Sequence, residues 1–198
     1  MGRCPLTNRR VIRLMKLLRS ALPAILALAL GPAVGHAQAS AFVHRGFWAR
    51  LNVGVDAAGL SCDNCGAIAT SGSLGLGGTL GSHVQLGVEG TEWDKMKDGV
   101  TQTTGNATVS GYFYPSPADQ MYLKAGFGMA FSDATGGGSS VTRKGVGGCI
   151  GLGSDMPLSR KIAIATSLTW NFAAFGSTPG AGSLYQNSVQ IGVGITFE

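Results

Sequence analysis

From Asn187 to Phe197 the chain alternates residue by residue between two unlike faces. Val189, Ile191, Val193, Ile195 and Phe197 fall on one side of an extended strand, and Ser188, Gln190, Gly192, Gly194 and Thr196 on the other. Strict period two marks a β-strand lying between two different surroundings. No charge interrupts it before Glu198. The same pattern is read seven times upstream, over 47–57, 73–80, 84–93, 102–114, 121–131, 145–155 and 162–172. The fifth is the clearest, with Met121, Leu123, Ala125, Phe127, Met129 and Phe131 on one face. Each segment is close to the ~9–11 residues that a strand tilted by about 45° needs to cross a bilayer.

Composition agrees with that environment once the start of the chain is set aside. Arg3, Arg9, Arg10, Arg13, Lys16 and Arg19 precede the apolar run Ala21 to Leu30, and Ala37-Gln38-Ala39 has the small-x-small pattern of a cleavage site. Residues 1–39 therefore read as a secretory signal cut between Ala39 and Ser40, with Met1 or Met15 as the start, and 40–198 as one domain. The whole chain has 15 Lys+Arg and 10 Asp+Glu; the signal takes six of the basic residues and none of the acidic, which leaves nine against ten, a net charge of −1. The basic balance thus belongs to the signal and gives no ground for a nucleic-acid partner. Only 19 of the remaining 159 residues are charged, about half the share usual in a soluble domain. After Ala39 there is no run of ~18–20 apolar residues, so no transmembrane helix is expected. A closed β-sheet is the other structure that satisfies every backbone polar group in hydrocarbon. The expected fold is all-β, an eight-stranded antiparallel up-and-down transmembrane barrel.

Connections at 81–83, 115–120 and 156–161 are short. Those at 60–72, 94–101, 132–144 and 173–186 are longer, rich in Gly, Ser and Thr, and are expected as external loops offering a surface ligand its contact. Charge decides which face is the interior. Arg50, Glu89 and Lys124 sit mid-strand, where a basic side chain facing lipid costs about 2–4 kcal/mol. They are expected to point inward as a lumen charge network, filling a space just wide enough for side chains rather than forming a gate or ligand site. Glycine is dense on the same face and makes room for them. Aromatic residues near strand ends, Trp48, Trp93 and Tyr114 among them, are expected in the two interfacial girdles.

The stretches Gly46-Phe47-Trp48, Gly77 to Val84, Tyr112-Phe113-Tyr114-Pro115 with Leu123-Lys124-Ala125-Gly126, and Gly192 to Phe197 resemble the eight-stranded outer-membrane β-barrel superfamily of OmpA/OmpX-like and opacity-type surface proteins. The resemblance covers the whole mature chain. It implies a bacterial outer-membrane location, contact with outer-membrane lipid, and a last strand ending on an aromatic that the barrel-assembly machinery reads. Here that aromatic is Phe197, followed by Glu198.

Few residues suggest chemistry. Cys62-Asp63-Asn64-Cys65 is read as a disulfide pinching its loop, with free thiols or a metal or redox role as alternatives. No helix N-terminus is expected beside it to lower a thiol pKa, and no further Cys or His lies nearby as a zinc ligand. Cys149 has inward parity and reads as a small buried hydrophobe. His44 and His83 are the only histidines after residue 39, and no credible Ser/His/Asp set accompanies them. No catalytic residue, metal or cofactor is expected. The leading expectation is a non-enzymatic outer-membrane barrel with a filled lumen and an envelope-structural or surface-interaction role. A small porin or carrier for a hydrophobic or small polar solute is the alternative, and a lipid-modifying barrel enzyme the third.

Overall fold

The computed structural model describes residues 44–60, 67–97, 100–116, 120–136, 139–176 and 184–198. Ala39, Ser40, Cys62 and Cys65 lie outside these residues. Eight strands follow in chain order: β1 (Phe47–Leu60), β2 (Ala67–Gly81), β3 (Val84–Lys97), β4 (Val100–Phe113), β5 (Met121–Gly136), β6 (Ser139–Pro157), β7 (Ile162–Phe175) and β8 (Leu184–Phe197). Each pairs antiparallel with the next, and β8 pairs with β1 to close the barrel. The closing register runs from Ala49↔Phe197 to Leu60↔Gln186. Phe197 also stands opposite Ile162 on β7, so β8 is bonded along both edges.

Alternation sorts the side chains as period two requires. Arg50 is 1% exposed while the next residue, Leu51, is 55% exposed, and Gln190 and Ile191 repeat the contrast at 3% and 44%. A soluble protein reverses this sorting. Here the aliphatic residues of every strand form the outer surface and the polar ones the interior, which is the arrangement of a barrel standing in lipid.

Glycine sets where the large inward side chains go. The Trp48 indole lies over the cross-strand pair Gly77↔Gly87 and beside Gly75. A Cβ added at Gly77 or Gly87 would come within 2.6 Å of the indole Cζ2. On the outer surface the rings of Phe131 and Phe172 cover the backbones of their cross-strand partners Gly105 and Gly148, an aromatic shielding of glycine that pins strand register.

Two expectations need correction. The segments 94–101 and 132–144 are largely strand, and 60–72 and 173–186 begin and end in strand: β3 and β4 run on to the pair Lys97↔Val100, and β5 and β6 to Gly136↔Ser139. Polar, Gly-rich composition does not end a strand whose partner still offers ladder hydrogen bonds. Thr103 Oγ1, for example, donates to Asp94 Oδ1 at 2.6 Å across a registered pair. Two residues separate β3 from β4, and two separate β5 from β6. The second correction concerns the girdles. Trp48, Trp93 and Tyr114 are at most 3% exposed and fill the lumen, because they share the inward parity of their strands. Phe47, Phe113 and Phe197 do face outward at the end where the termini lie, and Trp170 and Tyr185 do so nearer the other end.

If the exposed aliphatic face meets hydrocarbon, Val193→Arg will cost about 2–4 kcal/mol in urea unfolding of the vesicle-embedded barrel. Val193→Leu, which keeps that face apolar, should cost less, and equal effects would contradict the sorting.

Candidate functional site in the barrel lumen

The inward residues nearest the chain termini form a closed plug. β1 supplies Trp48 and Arg50, β3 Glu89, β4 Tyr112, β5 Tyr122 and Lys124, β6 Asp155 and β8 Thr196, with Tyr114 just past the end of β4. Arg50 Nη2 donates to Asp155 Oδ2 at 2.7 Å and Nε to Thr196 Oγ1 at 3.0 Å. Tyr114 OH donates to the same Asp155 oxygen at 2.7 Å, and Thr196 Oγ1 donates to the other at 3.1 Å. The guanidinium carbon lies 4.5 Å from the ring centres of both Tyr112 and Tyr122. Such cation–π contacts strengthen when water is excluded. One step around the wall, Lys124 Nζ and Tyr112 OH both donate to Glu89, each at 2.5 Å. Trp48 packs edge-on to Tyr112, and Tyr112 to Tyr122, both with centroids 5.3 Å apart.

Two cations and two carboxylates therefore balance in this layer. A buried charge is tolerable only when paired and hydrogen-bonded, and here each has an opposite charge at hydrogen-bond distance. Below the plug, at the terminal end, Glu198 turns its side chain into the mouth. Its Oε1 accepts from Gln85 Nε2 and lies against His44 Nδ1, both at 2.5 Å, and its Oε2 accepts from Arg45 N at 3.0 Å. His83 Nδ1 donates to the Tyr114 carbonyl at 2.7 Å. Above the plug the lining is mostly neutral: Asn52 donates to Ser73 (3.1 Å) and Gln190 to Ser71 (2.7 Å). Asp56 is buried there beside Ser71 and Ser188. Cys149 is buried with a free thiol.

Residues 24–197 match the family described as "Outer membrane protein beta-barrel domain". The chain belongs to that family. Its location is accordingly the bacterial outer membrane, with the strands embedded in lipid. The crystal structure of Neisserial surface protein A is similar in fold, with a TM-score of 0.58 at 14% identity over 77% of this chain and 96% of that one. So is that of Ail, the attachment invasion locus protein of Yersinia pestis, with 0.51 at 12% identity over 77% and 99%. No curated protein matches the sequence.

Of the residues singled out by sequence, the structure brings Glu89 and Lys124 together and places Arg50 with a different acid, Asp155. Asp155 had a legible signal: it is the single acidic residue of inward parity on β6. Tyr112 and Tyr122 were legible as inward residues, but their stacking on Arg50 depends on barrel diameter and stagger, which a strand pattern does not carry.

Removing one member of a buried pair leaves the other uncompensated. Asp155→Ala is expected to cost about 3–5 kcal/mol in urea unfolding, and Arg50→Met with Asp155→Leu to recover most of it. Glu89→Ala, which strands Lys124, should likewise lower the urea midpoint. A wild-type midpoint in both single variants would show that the charge layer does not support the fold.

Proposed function

We propose that this chain is a non-enzymatic outer-membrane barrel whose lumen is a structural core, and that it serves envelope integrity or surface interaction. The carrying observation is Arg50, 1% exposed, paired to Asp155 and packed against the adjoining rings of Tyr112 and Tyr122 inside the lumen. A conducting path needs mobile, hydrated groups, whereas these are locked to one another. The histidines are also committed, His44 to Glu198 and His83 to the Tyr114 carbonyl, which argues against a catalytic role for either.

The surface role rests on the hairpins β3–β4 and β5–β6. They overrun the apolar band at the end away from the termini, the outer end in barrels with both termini inside. They present Glu92, Asp94, Asp133, Arg143 and Lys144 there. Residues 1–39 are proposed to be removed on export, and Phe197, lipid-facing at the end of the closing strand, to be read by the barrel-assembly machinery. Cys62 and Cys65, between β1 and β2 in the sequence, are proposed to form a disulfide.

In planar bilayers the refolded mature barrel should give no discrete conductance steps. A Tyr112→Ala, Tyr122→Ala double variant that still folds should give transient openings. Steady single-channel steps from the wild-type chain would instead favour the small porin or carrier.

A further inference from the structure

The outer wall of the barrel is not uniformly convex. A groove of about 550 Å³ runs over β1–β4 and continues into one of about 380 Å³, the two sharing Leu74, Gly90 and Ala107. Its floor is Gly90, registered between Leu74 on β2 and Ala107 on β4. A Cβ added at Gly90 would meet nothing within 4 Å. That separates Gly90 from Gly105 and Gly148, which the protein covers with its own Phe131 and Phe172 rings. Interior packing therefore does not require glycine here; the space opens outward.

The groove extends along β3 from Val88 to Asp94. Six residues of strand span about 20 Å. At a tilt of about 45° this is about 14 Å of depth, half of the ~30 Å hydrocarbon core. One membrane leaflet is the length it fits. Its outer rim is acidic. Glu92 projects between Gly72 and Gly105, at the level of Phe131, and makes no hydrogen bond or ion pair among the described residues. Asp94 follows on the same face and accepts from Thr103.

We infer that this groove seats one acyl chain of an outer-leaflet lipid whose headgroup carries an ammonium, for which phosphatidylethanolamine is the probe, the chain lying over Gly90 and the ammonium meeting Glu92 and Asp94. A flexible chain recovers the dispersion contacts that an unfilled hollow forfeits, and the rim carboxylates select a cationic head. A second copy of the barrel is disfavoured as occupant. Two copies inserted in the same sense and related by a two-fold axis along the membrane normal would bring Glu92 to face Glu92 at one depth.

The test is native mass spectrometry of the full-length mature barrel released into mild detergent from vesicles of equal phosphatidylethanolamine and phosphatidylglycerol, folding being checked by heat-modifiable gel migration. The wild type should retain one phosphatidylethanolamine per chain in preference to phosphatidylglycerol. Gly90→Leu should reduce the lipid-bound fraction at least tenfold, and Ala107→Leu does the same from the neighbouring strand if the first variant does not fold. Gly111→Leu, which fills a separate lipid-facing gap whose nearest atom is 3.9 Å away, should leave retention unchanged. Glu92→Gln should keep the lipid and lose the headgroup preference. The assignment is overturned by a lipid-free wild type, by undiminished retention in the folded Gly90→Leu or Ala107→Leu variant, by equal retention of the two lipids in the wild type, or by a wild-type dimer that Gly90→Leu dissolves.

Discussion

Hydrocarbon offers a peptide group no hydrogen-bond partner, and the closure of β8 on β1 is the response to that constraint. An open sheet of these eight strands would leave two rows of unpaired N–H and C=O groups in lipid. Closure removes both rows and imposes everything else. It creates an interior that must be filled, divides each strand into a lipid face and a lumen face, and leaves the apolar residues on the outside.

The interior is filled in two chemical styles. Toward the termini it is an ionic and aromatic layer in which Arg50 and Lys124 balance Asp155 and Glu89. Toward the hairpin end it is a set of short hydroxyl and amide contacts such as Asn52–Ser73 and Gln190–Ser71. The first style needs exact partners because each member is charged and shut away from water. The second tolerates substitution of one small polar group by another. Glycine mediates between the layers and the wall: Gly75, Gly77 and Gly87 hollow the sheet where Trp48 is broadest.

Much of this was legible in the sequence, for a definite reason. Side-chain parity is a local property, so the alternation at Val189–Phe197 or Met121–Phe131 reports facing directly, and Arg50, Glu89 and Lys124 then name the inner face. What parity does not carry is information that is not local. The chemistry of Trp48 points to the interface while its parity matches Arg50; the seat that receives it is built by β2 and β3. The acid that pairs with Arg50 lies 105 residues away, and its choice depends on how far the strands stagger around the barrel. At 94–101 and 132–144 composition points to loops, while hydrogen bonding, which composition does not report, continues the strands. A Thr-rich or Gly-rich segment remains in the ladder as long as its neighbour does, as Asp94 and Thr103 illustrate.

The contacts of Arg50 have a consequence for how the molecule reaches its membrane. Its partners are Tyr114, Asp155 and Thr196, separated from it by 64, 105 and 146 residues. The guanidinium cannot complete this set until the final stave has arrived, so no early hairpin can neutralise it. A half-built sheet would carry a bare cation toward the acyl chains. Ring completion is therefore what finishes the polar surroundings of Arg50, and a sheet that stops short leaves that cation without part of its partner set.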